Sequence, residues 1–239
     1  ALLANSEKAS FSAKLHSRDG KKLDKFALGN QQQADEVMAD LQKAEVRVEK
    51  LEKKERKRNP AAPFTTSTLQ QEASRKLGFS ARKTMSTAQK LYEGIDIGDG
   101  SLGLITYMRT DSSHIAGEAL HAVRDLIQRN YGDRYLPEKP HFYASGGNAQ
   151  EAHEAIRPTD AFRTPDSVRG ALTQEQYALY ELIWRRFIAS QMKPAVYDVT
   201  TALIPTAREE RSDPLPYLFR AQGRVCTFDG FLRVYQPDE

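Results

Sequence analysis

The chain has 239 residues, 39% of them apolar and 28% charged, with a formal net charge of +3 and one cysteine, Cys226. Such a chain can bury a sizeable core but cannot close an internal disulfide, and it is less basic than dedicated nucleic-acid modules usually are. No apolar run approaches the roughly 20 residues of a membrane-spanning helix, and a reducing compartment is expected. The opening ALLANSEKAS has no initiator Met and is too short and polar for a signal peptide, so the chain reads as a piece of something longer.

From Phe11 to Gly29 two alternating runs flank Asp19-Gly20, the signal of a β-hairpin. Asn30 is placed to cap a helix, with Gln33 in capping-box position and Ala34, Val37, Met38, Leu41 and Ala44 at helical spacing. The stretch AEVRVEKLEKKERKRNP then reads as one strand that runs out into charge. Its tail, Lys50 to Arg58, holds six basic residues against two acidic ones. That is the pattern of a solvated strand end or linker, and less often of a phosphate-facing strip.

At Pro60 and Pro63 the pattern turns helical for about 130 residues. Thr66 or Ser67 can cap a helix bearing Leu69, Ala73 and Leu77 and closed by Gly78. Ser80 can cap a second, bearing Met85, Ala88, Leu91 and Tyr92 and closed by Gly94. Joined by Gly-Phe-Ser, the pair reads as helix-turn-helix-like, a pattern shared with ordinary α-hairpins. The glycine-rich GIDIGDGS is a flexible turn, and GLITYM reads as a buried strand. A longer helix is expected after Ser112 or Ser113, using Ile115, Ala119, Val123, Leu126 and Ile127 and stopping at Gly132. A loop rich in Pro, Gly and aromatic residues leads to EAHEAIRPTD. Thr173 and Gln176 form a capping box for a helix bearing Tyr177, Tyr180, Ile183, Trp184 and Phe187. From Lys193 strands return, with turns expected at Gln222-Gly223 and Asp229-Gly230. Strands at both ends with helices between give an α+β class, a helical domain inserted into a β-rich one.

Chemistry concentrates in GLITYMRTDS, Gly103 to Ser112. On a strand, Tyr107 and Arg109 would point the same way. A phenol with a pKa near ~10 attacks at neutral pH only where its anion is stabilised or its proton is taken. Arg109 could lower that cost and also hold a phosphodiester by paired N–H bonds. His153 and Arg157 would share a face if HEAIR were helical. The same residues fit a surface Tyr–Arg pair and a structural histidine, and pattern alone leaves both readings open. No His-x-x-His, clustered Cys or Asp-x-Asp suggests zinc or a two-metal site. Gly98, Gly100 and Gly103 make neither a Walker loop nor a dinucleotide fingerprint, and there is no Gly-x-Ser-x-Gly.

Three ordered stretches are similar to the type IA DNA topoisomerases, the bacterial topoisomerase I group above all: PFTTSTLQQEASRKLGFSARKTMSTAQKLYEG, GLITYMRTDS and NAQEAHEAIRPTD. LYELIWRRFIASQMKPAVYD and RAQGRVCTFDGFLRVY follow in the same order. The resemblance covers nearly the whole chain, less securely over the first 60 residues. It implies that Tyr107 is the nucleophile, attacking a DNA backbone phosphate and becoming joined to the 5′ end of the break. It implies that Arg109 contacts that phosphate and that His153 supports the cleavage site. Arg157 is carried over only as a DNA contact without a firmer role, and Gln89 and Glu93 fall where the family's helical domain approaches DNA.

The implied fold is part of a toroid, with a β-rich arch at residues 1–62 and 193–239 and a helical domain at 63–192 carrying the tyrosine. The implied activity is relaxation of negatively supercoiled DNA by single-strand cleavage, strand passage and rejoining, without ATP. Magnesium would be bound by an acidic domain outside these residues, and no metal ligands are expected within them. The implied partners are single-stranded and negatively supercoiled DNA and the remaining domains of the same enzyme. A monomer in the bacterial cytoplasm, associated with the nucleoid and with no membrane partner, is expected. Without the acidic domain, the chain alone is expected not to relax DNA. A tyrosine recombinase would want its nucleophile near the C-terminus, and a relaxase a His-hydrophobe-His motif. A non-catalytic DNA-binding or interdomain module is the remaining alternative.

Overall fold

The computed structural model describes residues 10–24, 26–42, 44–98, 100–143, 153–208 and 214–236. In chain order the elements are β1 (Lys14–Arg18), β2 (Lys21–Lys22), α1 (Gln31–Leu41), β3 (Ala44–Val46), β4 (Lys50–Arg58), α2 (Thr66–Leu77) and α3 (Ala81–Glu93). There follow β5 (Ile95–Asp96), β6 (Ser101–Leu102), α4 (Gly117–Tyr131), α5 (Pro165–Val168), α6 (Gln174–Ser190), β7 (Ala195–Arg208) and β8 (Pro214–Phe228), with 3-10 turns at Arg169–Ala171 and Gly230–Arg233. The class is α+β, and the chain divides into two compact units. One comprises Ala1–Lys57 and Val196–Phe228, the other Arg58–Ala195 and Asp229–Glu239.

The first unit is built on one antiparallel sheet in the order β2-β1-β8-β7-β3, with β4 also paired to β7. The β1–β2 turn forms as expected at Asp19-Gly20, both with positive φ, which matches the twist of a tight hairpin. β7 and β8 pair from Val196↔Phe228 to Ala207↔Pro214, and the register shifts near Pro205, which has no N–H to offer the ladder. Asn30 caps α1 by accepting from the Gln33 N–H, but the Gln33 side chain accepts from Gly29 N rather than completing a box. The Tyr217 hydroxyl donates to Asp40 at 2.7 Å and ties α1 to the sheet.

Two further expectations fail here. AEVRVEKLEKKERKR is two strands, β3 and β4, rather than one. Gln222-Gly223 is no turn but lies inside β8, opposite Thr201 and Thr200, because the glycine takes ordinary extended geometry and the ladder runs through it.

The second unit packs α2, α3 and α6 together around Leu69, Ala73, Ala88, Leu91, Leu179, Ile183 and Phe187. α2 and α3 meet at Gly78, whose left-handed φ of 66° ends the first helix at no Cβ cost. Ser80 caps α3 and the Thr173–Gln176 box caps α6, as expected. α2, however, is capped by Thr65 in a reciprocal box with Thr68, which releases Thr66 for another task.

α4 begins at Gly117, later than expected. Ser112 and Ser113 are buried ahead of it, and the helix start is held from outside by Glu154, which accepts from the Ala116 N–H at 2.7 Å. The segment after Asp229 joins this unit instead of forming a strand. Phe231 N donates to Lys193 O, and the Tyr235 hydroxyl donates to Glu72 at 2.8 Å. Among the described residues no helix is long and apolar enough to cross a membrane.

Three phenols in this unit make its stability depend on pH. Burial pushes Tyr143 up to about 12 and raises Tyr180 and Tyr235 as well. The folded state therefore holds these protons more tightly than an unfolded chain with its ordinary value near ~10. Their contribution is complete below pH ~10 and is lost as pH climbs through the raised values. Titration of the ten tyrosines followed at 295 nm should show a late step that coincides with collapse of the far-ultraviolet circular dichroism.

Candidate active site

GLITYM is not a regular strand. It is an extended segment fixed on both sides by side chains and short backbone bonds. Leu104 N donates to Leu91 O at the end of α3, and Thr159 N donates back to Leu104 O. A single bridge links Ile105 to Pro158. The Thr106 N–H donates to Arg157 O, and its hydroxyl donates to Ala155 O at 2.7 Å and accepts from Arg157 N at 3.0 Å. Beyond the tyrosine, the Thr66 hydroxyl reaches across from the first turn of α2. It lies 2.8 Å from Met108 O and 3.0 Å from Thr110 O, and it accepts from Thr110 N at 2.9 Å.

These clamps set an alternation in which Leu104, Ile105, Met108 and Thr110 are buried while Tyr107 and Arg109 are exposed. The two candidate residues thus stand out from the same segment, as a strand would have placed them. Tyr107 is 49% exposed. Among the described residues its hydroxyl has no hydrogen bond and the Arg109 guanidinium has no ion pair. Both are available to a ligand.

His153 and Arg157 do not share a helix face, because their segment is extended and pairs Ile156 with Phe64 and Pro158 with Ile105. β-Bridging on both flanks, together with Pro158, leaves no room for helical turns. Residues 148–152, the first part of NAQEAHEAIRPTD, lie outside the described residues. His153 is exposed, two residues before the Ala155 carbonyl that accepts from Thr106. Arg157 faces inward. Its side chain is 11% exposed and pairs with Glu154 at 2.7 Å, and one nitrogen also donates to Pro158 O. Gln89 and Glu93 are exposed on α3 and bonded to each other at 2.6 Å. Between them Tyr92 sets its ring 5.3 Å from that of Tyr107, at 65°.

The arrangement offers an unblocked phenol and a guanidinium on a rigid backbone, suited to holding and attacking a phosphodiester. The family model described as DNA topoisomerase matches residues 3–239. The chain belongs to the DNA topoisomerase family.

Its relatives place it on the bacterial topoisomerase I side of that family, as the three motifs implied. It is 49% identical over 235 residues to DNA topoisomerase 1 of Rickettsia felis, covering 98% of this chain and 30% of the relative. It is 50% identical over 231 residues to DNA topoisomerase 1 of Xylella fastidiosa, covering 95% and 28%. Full-length topoisomerase I from Thermotoga maritima superposes with a TM-score of 0.73 at 37% identity, over 95% of this chain and 34% of that one. The chain therefore spans about a third or less of the length of these topoisomerases.

Among this topoisomerase segment's residues, sequence pattern alone missed Thr66, Thr106, Glu154 and Tyr92. Thr66 was legible only as one of two possible helix caps. Its partners Met108 and Thr110 are 42 and 44 residues away, so no local signal could reveal them. Replacing Thr66 with Val should leave Thr110 N and Met108 O without that partner. The expected cost is about 1–3 kcal/mol, read as a fall in the urea midpoint at unchanged slope.

Proposed function

We propose that this chain carries the cleaving tyrosine of a type IA topoisomerase that relaxes negatively supercoiled DNA without ATP. The Tyr107 oxygen attacks a backbone phosphorus and the P–O3′ bond breaks. The 5′ phosphate is then joined to the tyrosine, and the departing 3′ oxygen ends as a hydroxyl, with the phenol proton making up the balance. Rejoining is the reverse, and because the phosphotyrosine ester retains the bond energy no nucleotide is consumed. Arg109 holds the phosphate and offsets charge as it builds on the attacked group. His153 supports the same site from the segment beside Thr106. Gln89, Glu93 and Arg157 are proposed DNA contacts, although Arg157 could reach a phosphate only by giving up Glu154.

The observation that carries this reading is the exposure of Tyr107 and Arg109 together on either side of the buried Met108. Magnesium belongs to the proposal as an ion held by an acidic domain outside these residues. Among the described residues no three His, Cys, Asp or Glu side chains converge to hold a metal, so these residues do not fit the ion and no step runs through it. The partners proposed are single-stranded and negatively supercoiled DNA and the enzyme's other domains, acting as a monomer in the bacterial cytoplasm. An arch that lifts to pass a second strand completes the cycle.

The test mixes the chain with the remaining domains of a family member, magnesium and a 3′-labelled single strand. A labelled covalent adduct on a denaturing gel is expected. The chain by itself should leave a supercoiled plasmid unrelaxed under the same conditions, and measurable relaxation would contradict that part of the proposal.

A further inference from the structure

We propose that Tyr92 is a positioning residue for Tyr107, an inference that rests on the reading of Tyr107 as the nucleophile. The clamps formed by Thr66 and Thr106 fix the backbone on either side of Tyr107, but they do not touch its ring. A side chain on a fixed backbone still has alternative staggered χ1 wells, and an exposed phenol in the wrong well points away from a bound phosphate. Something must select the well, and the edge-to-face contact with Tyr92 is in place to do so.

The meeting of the two rings is built into the backbone. The last turn of α3 and the start of the active-site segment are joined by the Leu104 N–H bond to Leu91 O at 2.7 Å. They approach so closely at Gly103 that a Cβ there would lie 2.6 Å from the Tyr92 carbonyl oxygen. The two Cα positions are therefore held close enough for the rings to meet when Tyr107 takes the observed well. Tyr92 has no evident alternative task. It is 42% exposed, so it is not a core residue, and among the described residues its hydroxyl makes no hydrogen bond. What it contributes is its ring. An aromatic pair of this geometry is worth a few-fold to about tenfold in a conformational equilibrium beyond area burial.

Tyr92→Ala and Tyr92→Phe separate the ring from the hydroxyl. In the domain-complemented cleavage assay, Tyr92→Ala is expected to slow adduct formation about threefold to tenfold at saturating DNA, with the DNA concentration for half-maximal rate unchanged. Tyr92→Phe should restore the rate. In the chain itself, labelled with 3-fluorotyrosine, the Tyr107 resonance is identified by its loss in Tyr107→Phe. It should shift in Tyr92→Ala and return towards its original position in Tyr92→Phe.

An Ala variant with an unaltered rate overturns the inference. So does a Phe variant as slow as the Ala variant, or a loss confined to DNA affinity, which would make Tyr92 a DNA contact instead. Absence of any adduct with the unsubstituted chain would overturn the reading of Tyr107 and this inference together. An adduct indifferent to Tyr92 overturns only the inference.

Discussion

Replacing Tyr107 with Phe should abolish the covalent protein–DNA adduct while leaving the fold intact. The expected drop is roughly a thousandfold or more, since loss of a nucleophile removes the covalent route rather than weakening it. The substitution deletes one oxygen that, among the described residues, bonds to nothing, from a ring that is about half exposed. It keeps the contact with Tyr92. Stability should therefore change by less than about 0.5 kcal/mol, and thermal unfolding of the two proteins should superimpose. An adduct that survives the substitution would return Tyr107 to the role of a surface aromatic and move the chemistry elsewhere. A variant that loses both adduct and fold would leave the nucleophile unproven, which is why the unfolding curve belongs in the same experiment.

Glu154→Ala should produce the largest loss of stability among substitutions near the site. One carboxylate oxygen accepts from the Ala116 N–H at the start of α4 and the other pairs with Arg157, each at 2.7 Å. Its side chain is 27% exposed and that of its partner 11%, so removing the carboxylate leaves a nearly buried guanidinium whose remaining acceptor, among the described residues, is Pro158 O. Breaking a buried pair from one side and stripping a helix start of its acceptor together predict a cost of about 3–5 kcal/mol, measured by denaturant unfolding. Glu154→Gln keeps an acceptor for Ala116 and should cost less. The same variants test Arg157 as a DNA contact. If its main business is with phosphate, freeing it from Glu154 should tighten binding to single-stranded DNA.

Local signals in the chain were reliable where a few neighbouring residues decide the outcome. Asp19-Gly20 turned the hairpin, Ser80 and Thr173 started their helices, and Gly78 stopped one. They failed where a distant partner overrides a local preference. Gly223 looks like a turn until β7 lies beside it. The Ser112-Ser113 pair looks like a cap until both serines are buried and Glu154 takes over the helix start. HEAIR carries helical spacing, yet Phe64 and Ile105 draw it into an extended pairing.

The active-site segment shows both sides at once. Its two-residue spacing placed Tyr107 and Arg109 on the same side of a strand, and the structure exposes both from a segment held by two threonine clamps instead. The first of those clamps depends on Thr65 having taken the capping role, which no spacing rule distinguishes from Thr66.

The way the chain enters and leaves the β7–β8 pair bears on how the molecule is made. The helical unit is interrupted after Ala195 and resumes at Asp229, and the two ends of the interruption are stitched together by the Phe231 N–H bond to Lys193 O at 3.0 Å. Gly230 fits there because a Cβ would lie 2.4 Å from Pro194 O. A ribosome therefore completes the helices well before it delivers Tyr235, the residue that reaches back to Glu72 across 163 positions. Until then the nascent helical unit must wait with that part of its surface unfinished, while more than thirty residues of a different unit are threaded out between its halves. Because the ends already touch, a gene that skips residues 196–228 and rejoins 195 to 229 through a short linker would let the helical unit close without waiting.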